Sequence, residues 1–110
     1  MSEYIPDRGD LIWLDFDPSA GTEIQKRRPA LVLSPEIFNR MTGYAMVVPV
    51  TSSVRGHPFE VPLVETETLG VCVCQQARTL AFRVRKAVFI EKAPATVVTK
   101  ALALVRAILE

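Results

Sequence analysis

Short runs rich in β-branched, aromatic and other apolar residues are the feature that most limits how this chain can fold. Gly, Pro, Asp, Asn or Thr bounds most of these runs, as is usual for strands that end in turns. Because several short strands must bury one face each, the pattern predicts a small barrel or sandwich. The runs are Leu11–Phe16, Ala30–Leu33, Tyr44–Val50, Phe59–Leu63, Val71–Cys74 and Ala87–Ile90.

A short helix is predicted near residues 35–41. Ser34 precedes it as a suitable N-cap, Pro35 fits the first turn, and Glu36 complements the positive end of the helix dipole. Gly43 would end this helix.

A longer helix is predicted near residues 94–109, where apolar residues recur at intervals of three and four and must be buried as a stripe. Leu104 lies off that stripe and widens the apolar surface. Either the rest of the fold wraps this helix broadly, or a second subunit covers part of it.

The chain has 110 residues, so we expect one domain over residues 1–110. No apolar run approaches the roughly 20 residues that span a bilayer, and the N-terminus has no basic region followed by an apolar stretch. We therefore expect a cytoplasmic protein with no membrane partner.

Cys72 and Cys74 are two residues apart in an apolar run, so on a strand both face the same side. A bond between them would strain disulfide geometry, and we interpret them as core thiols. Together with the solitary His57 they offer too few ligands for a structural zinc site. We expect no metal and no cofactor.

The net charge of +1 hides an uneven distribution along the chain. Acidic residues dominate positions 1–25, whereas basic residues cluster at 26–28 and at 83–86. Single charges of this kind are usually solvated, but two basic clusters favour a polyanionic partner such as RNA.

Alternation along the first run places Ile12, Leu14 and Phe16 on one face, which we expect to be core. Trp13 lies on the other face and is partly exposed. It either marks a contact surface or merely covers the fold, and the sequence favours neither reading.

Two loops, 18–27 and 51–58, are the least regular stretches, and loops on a rigid scaffold often carry binding and catalytic residues. Arg28 immediately precedes Pro29, so it is extended and stands at the mouth of a strand. The second loop begins with Thr51, the first of three hydroxyl side chains that can donate to phosphate oxygens. Turn chemistry explains those hydroxyls equally well.

Cutting RNA without a metal requires removal of the 2′-hydroxyl proton, stabilisation of charge on phosphorus and a proton for the departing 5′ oxygen. An arginine with a hydroxyl neighbour suits the charged centre. Glu23 could polarise the nucleophile or orient Arg28, although an ordinary ion pair would look the same. These residues alone fit an RNA-binding barrel as well as a ribonuclease.

Ordered motif blocks cover nearly the whole chain. They are Gly9–Pro18 (GDLIWLDFDP), Arg28–Ser34 (RPALVLS), Pro49–Thr51 (PVT), Gly56–Val61 (GHPFEV) and the segment Gly70–Phe82. A lone Arg-Pro or Pro-x-Thr would carry no weight, but several blocks in order at matching spacing are specific. By these blocks the chain resembles the MazF/PemK toxins.

The resemblance implies a mainly β, α+β fold: an SH3-like small barrel with added helices, assembled as a homodimer. It implies a sequence-specific mRNA interferase that cuts single-stranded RNA without metal, leaving 2′,3′-cyclic phosphate and 5′-hydroxyl ends. It makes Arg28 and Thr51 the catalytic pair, with Glu23 assisting. It also implies a cognate MazE-like antitoxin as partner.

Several residues are expected to contact RNA. Phe16 would stack a base, Asn39 and Gln76 would read base edges, Arg55 would hold a phosphate, and the hydroxyl of Ser52 would donate to the backbone.

Trp13 is expected to contact the antitoxin, whose acidic tail would lie over the basic RNA groove and compete with RNA. Gln75 departs from the acid that many relatives of the family carry before the Gln, so the target sequence cannot be carried over.

The alternative function is a gyrase poison similar to CcdB, which has the same architecture but no enzymatic activity. The gyrase poisons end in Trp-Gly-Ile, whereas this chain ends in Arg106–Glu110 (RAILE). The Arg28 and Thr51 blocks belong to the nucleases.

Overall fold

Antiparallel strands and two helices make up the computed structural model, which describes residues 3–18, 21 and 23–110. The predicted short helix and the predicted C-terminal helix are both present, as α1 and α2. The elements in chain order are β1 Asp10–Asp15, β2 Arg27–Val32, α1 Glu36–Thr42, β3 Tyr44–Thr51, β4 Glu60–Pro62, β5 Val71–Val73, a 3-10 turn Cys74–Gln76, β6 Arg78–Ala81, β7 Val88–Lys92 and α2 Ala95–Leu109.

The strands pair in the order β4-β5-β3-β2-β1-β7, and β3 is long enough to serve two neighbours on its far edge. Its first half pairs with β6 and its last two residues pair with β5. The α+β class is confirmed, but the sheet does not close into a barrel among the described residues. At three residues each, β4 and β5 are too short to carry the pairing round to β7.

The central strands bury side chains on both faces, so two apolar clusters share one sheet. The alternation along β1 predicted that Ile12, Leu14 and Phe16 are core residues, and all three belong to one of these clusters. Leu11 lies on the opposite face, is equally buried, and packs with α2. Only Trp13 on that face is exposed, with 42% of its surface accessible. Both faces of β1 are therefore core at its start, and only one is core at its end.

Helix α1 begins differently from the sequence prediction. The N-cap is Pro35, which offers no side-chain hydrogen bond, and the Asp7 carboxylate instead accepts from the backbone N–H of Glu36 at 2.9 Å. Ser34 turns inward and donates to the side chain of Asn39 at 2.6 Å. Gly43 ends the helix in the left-handed conformation, with φ of 77°, as predicted.

Helix α2 buries Val97, Ala101 and Val105 against the sheet. Leu104 is half-buried and lines a depression with Val61 and Pro62 of β4. Broad packing within the chain therefore accounts for Leu104 without a second subunit. Among the described residues, no helix is long and apolar enough to cross a bilayer.

Cys72 and Cys74 are free, buried thiols in the same apolar cluster, which confirms the predicted core role. Burial raises the pKa of Cys72 to about 12 and that of Cys74 to about 11. Both thiols therefore stay protonated, and poor nucleophiles, at neutral pH.

Candidate functional site

Strand register brings Arg28 and Thr51 together. The last pair of the β2–β3 ladder is Ala30 with Pro49, and continuing that register two residues past the end of the ladder would set Arg28 opposite Thr51. Residues opposite each other in an antiparallel pair face the same side of the sheet. Neither Pro29 nor Pro49 has a backbone N–H to donate, so the ladder stops here and the two side chains stand at its open end.

A cleft of ≈ 440 Å³ lies at this end of the sheet, lined by both Arg28 and Thr51. Ile24 of the predicted loop 18–27 lines this cleft, and residues of the predicted loop 51–58 form one wall of it. The two loops therefore converge on the cleft. The cleft carries two guanidinium groups and one carboxylate among its lining residues, which suits a polyanion. The other polar side chains that line it are Ser53, Arg55, His57, Glu60, Gln75 and Gln76.

Arg28 and Thr51 are each held by a local hydrogen bond. Arg28 donates from Nε to the carbonyl oxygen of Gln25 at 3.0 Å, which leaves its two terminal nitrogens for a ligand. Thr51 accepts at Oγ1 from the backbone N–H of Ser53 at 3.1 Å, so its hydroxyl proton points elsewhere. Gly70 allows β5 to approach this strand end, because a Cβ there would lie 2.3 Å from the Thr51 carbonyl oxygen.

Glu60 shapes the second loop through its carboxylate. It accepts from the backbone N–H of Arg55 at 3.1 Å and from that of Gly56 at 3.0 Å. These contacts fix the backbone from which the Arg55 side chain enters the cleft. Since its oxygens already accept two backbone protons, Glu60 is better placed to hold the loop than to take a proton from a substrate.

Gln76 fixes the first loop to the opposite wall. Its side-chain oxygen accepts from the backbone N–H of Ile24 at 2.8 Å. Arg78 donates to the Ile24 carbonyl oxygen at 2.9 Å and lies over the ring of Phe16. Gln76 lines the cleft and also holds the first loop, a structural role that the sequence did not reveal.

Two predicted RNA contacts are wrong because their side chains are fully buried. Phe16 has 0% of its surface exposed and packs in the core, so no base can stack on it. Asn39 is also 0% exposed. It donates to the carbonyl oxygens of Pro6 and Ser34 and accepts from the Ser34 hydroxyl, which ties α1 to the chain before β1.

Glu23 and Ser52 lie beside the cleft rather than in its wall. Glu23 is exposed and adjoins Ile24, which does line the cleft. Ser52 is exposed between two lining residues, Thr51 and Ser53.

Trp13 lies away from the cleft, on the other face of the sheet. With Pro29, Leu69 and Ile90 it lines a largely apolar depression of ≈ 330 Å³. The loop over this depression is held by Glu91, which accepts from the hydroxyl of Thr68 at 2.6 Å. That hydrogen bond and those from the backbone of the loop lower the pKa of Glu91, so the loop stays tied down at neutral pH.

Four polar cleft residues were not among the predicted site residues: Ser53, His57, Glu60 and Gln75. Ser53 was considered only as one of three hydroxyls in the second loop, His57 only as a metal ligand, and Gln75 only as a departure from the family pattern. One signal was available, since His57 is the only histidine and stands in a predicted functional loop. The contacts of Glu60 depend on the three-dimensional turn. Among the described residues no three His, Cys, Asp or Glu side chains are grouped to hold a metal ion.

Comparison with known proteins gives this geometry a context. The chain is 48% identical over 87 residues to the endoribonuclease toxin MazF of Escherichia coli (strain K12), covering 79% of this chain and 78% of that protein. The crystal structure of MazF from Deinococcus radiodurans superposes with a TM-score of 0.94 at 42% identity, covering 97% of this chain and 98% of that one.

A crystal structure of MazE–MazF from Deinococcus radiodurans also matches, with a TM-score of 0.85 at 39% identity over 97% of each chain. The family description "PemK-like, MazF-like toxin of type II toxin-antitoxin system" matches residues 7–109. A match over this span shows the family directly. The chain belongs to the PemK-like, MazF-like toxins of type II toxin–antitoxin systems.

Proposed function

We propose that this protein is an endoribonuclease toxin that cuts single-stranded RNA, mRNA above all, at the cleft of Arg28 and Thr51. The observation that carries the proposal is that both side chains line one cleft, where the β2–β3 ladder has ended. The relatives named endoribonuclease MazF and endoribonuclease PemK support the reaction class.

The proposed reaction is an internal transesterification that needs no metal. The ribose 2′-oxygen attacks the adjacent phosphorus and loses its proton, a new P–O2′ bond forms, and the P–O5′ bond breaks. The departing 5′ oxygen takes a proton, so the products are a 2′,3′-cyclic phosphate and a 5′-hydroxyl. Charge builds up on the non-bridging oxygens, where preorganised donors are most effective.

Arg28 is the proposed donor to those oxygens. Its Nε is occupied by Gln25, so its orientation is fixed, and its terminal nitrogens remain for the phosphate. Thr51 is proposed to donate its hydroxyl proton to the same phosphate, because its oxygen already accepts from Ser53. Glu23 is proposed to assist from the first loop, where it adjoins Ile24, which lines the cleft together with Arg28.

RNA binding is proposed to extend from the catalytic pair along the cleft. Arg55 would hold a phosphate from the loop that Glu60 fixes. Gln76 would contact a base, and Ser52 would contact the backbone from the rim. A cleft that fixes several nucleotides can select a sequence, so we propose sequence-specific cleavage.

The proposed natural inhibitor is a MazE-like antitoxin, by analogy with the solved MazE–MazF complexes. An acidic, disordered tail suits a cleft that presents Arg28 and Arg55, and it would exclude RNA by occupying it. Trp13, half-exposed beside an apolar depression, is proposed to receive an apolar side chain of the same partner.

A homodimer is also proposed. Phe38 of α1 and Leu109 of α2 are exposed to 42% and 78%, and with Met46 they line an apolar groove of ≈ 440 Å³. Apolar groups on two elements around one groove are typical of a subunit interface. We place the protein in the cytoplasm, where its proposed substrate is found.

The test incubates the purified protein with a long single-stranded RNA in EDTA and maps the 5′ ends of the products. We expect cuts at a short recurrent sequence, 5′-hydroxyl ends, and no cuts by Arg28→Ala. Intact RNA with the wild-type protein would refute the nuclease. RNA that is bound but not cut would indicate a binding protein, and cuts only after magnesium is added would refute the metal-free reaction.

A further inference from the structure

The burial of Phe16 leaves open which group holds a base next to the reacting phosphate. Single-stranded RNA is usually fixed by stacking its bases on aromatic side chains or on arginine planes. Among the described residues that line the cleft, His57 carries the one aromatic ring. It is exposed and shares the cleft with Arg28 and Thr51.

The imidazole of His57 is held in place. Its Nδ1 accepts from the backbone N–H of Phe59 at 3.2 Å, and its ring centroid lies 5.7 Å from that of Phe59 at an interplanar angle of 38°. One edge and one side of the ring therefore have protein partners. The rest of the ring faces solvent and the cleft.

The backbone under His57 is cross-linked as well. Its carbonyl oxygen accepts from the N–H of Glu60 at 3.0 Å, and the Glu60 carboxylate accepts from the N–H of Gly56. The Phe59 carbonyl oxygen accepts from the N–H of Cys74 in the next element at 3.1 Å. A ring on such a turn loses little conformational freedom when a ligand binds it.

We propose that His57 is a stacking platform for a nucleobase of the RNA, beside the scissile phosphate. This inference rests on the proposed function, because it places the base next to the Arg28 and Thr51 pair. Guanidinium groups at 28 and 55 would hold the flanking phosphates, and the imidazole would hold the base between them.

A proton-transfer role fits His57 less well. The nitrogen that accepts from Phe59 carries no proton, so the ring proton lies on Nε2. Nδ1 is therefore occupied by the protein backbone and does not face a substrate proton.

Two substitutions separate the ring from its hydrogen bond. His57→Phe keeps an aromatic ring and loses the acceptor for Phe59, whereas His57→Asn keeps an acceptor oxygen close to the position of Nδ1 and loses the ring. The probe is a short single-stranded RNA around a mapped cleavage site, with 2-aminopurine on either side of the cut in separate oligonucleotides. A 2′-deoxy sugar at the cut removes the nucleophile, so binding is measured without cleavage.

We expect the wild-type protein to quench one of the two probes by stacking. His57→Asn should lose that quenching and bind roughly 5- to 150-fold more weakly, the range measured for loss of one base–aromatic stack. His57→Phe should bind more tightly than His57→Asn and restore the quenching. Val84→Ala, at an exposed turn residue outside the cleft, should match the wild type.

Equal affinity and quenching for His57→Asn and wild type would overturn the platform, as would His57→Phe behaving like His57→Asn. Far-UV circular dichroism and the thermal midpoint of each variant show whether the fold is retained. The proposed nuclease activity can fail while the platform stands. If the wild type leaves long RNA intact, no cleavage site can be mapped, and the probe is then a mixed-sequence RNA that carries 2-aminopurine. Quenching that depends on the ring at position 57 would still support the platform.

Discussion

Two polar clusters in this molecule have similar residue types and opposite surroundings. The cleft presents Arg28, Thr51 and Gln76 to solvent, each with one hydrogen bond to the protein and further capacity left over. Beneath α1, Ser34 and Asn39 are buried and exhaust their hydrogen bonds on each other and on nearby backbone. No buried side-chain polar atom among the described residues lacks a partner.

The difference separates polar groups that fold the chain from those that can bind a ligand. A buried amide that makes all its bonds specifies a structure, because any loss leaves an unsatisfied group in the core. A half-exposed side chain held by one bond is oriented but still able to bind. Substitutions in the two clusters should therefore change different measurements, activity for the cleft and stability for the network.

After the loss of cleavage expected for Arg28→Ala, the largest expected effect is on catalysis through Thr51. Thr51→Ala should lower the cleavage rate on the order of 10²-fold, the effect of removing one donor to a developing oxyanion. Thr51→Ser keeps the hydroxyl and should stay within about tenfold of the wild type. Rates come from a defined RNA in EDTA, and urea midpoints should differ little because the residue lies at a strand end. Equal rates for the Ser and Ala variants would contradict a role for the hydroxyl.

The buried network should respond in stability. Asn39→Ala leaves the Pro6 carbonyl and the Ser34 hydroxyl without their partner, which costs about 1–3 kcal/mol of unfolding free energy. Urea denaturation at fixed protein concentration measures this change. Arg40→Ala is the control on the same helix, since an exposed pair with Glu36 contributes about 0.5 kcal/mol or less.

Cleavage per folded molecule should remain unchanged in Asn39→Ala. A strong loss of cleavage without loss of stability would mean that Asn39 contacts RNA after all, as its side-chain amide predicted. That outcome would remove the distinction between the two clusters.

Local patterns predicted much of the fold. Periodic apolar residues located α2, and alternation placed Phe16 on the core face of β1, where it lies. Its aromatic ring also suggested that Phe16 stacks a base, and its burial shows that the alternation was the better guide. Strand β6 was missed because Arg78–Ala81 has no clear apolar alternation and becomes a strand by pairing with β3.

The site could be predicted only in part. Arg28 and Thr51 could be found because each stands where a strand meets a loop. The contacts that fix the two loops around them could not be predicted, since Glu60 and Gln76 act through turns that bring distant segments together. Residues chosen for their chemical type alone, such as Asn39, had no local signal to distinguish a buried amide from an exposed one.

Gln76 belongs to both regions, and its substitution should have the smallest effect. Its side-chain oxygen accepts from Ile24, whereas its N–H₂ group is a donor that could contact an acceptor on a base. Gln76→Glu keeps the acceptor for Ile24 and removes that donor, whereas Gln76→Ala removes both.

We expect Gln76→Glu to bind RNA about 2- to 10-fold more weakly, the worth of one hydrogen bond, and to relax the preference at one mapped position. Gln76→Ala should be weaker still, although Arg78 continues to hold the Ile24 carbonyl. Affinities at several salt concentrations separate the added charge from the lost donor, because salt screens only the first. If Gln76→Glu keeps the wild-type sequence preference at high salt, Gln76 serves only to hold the first loop. A neighbour such as Gln75 must then contact the base.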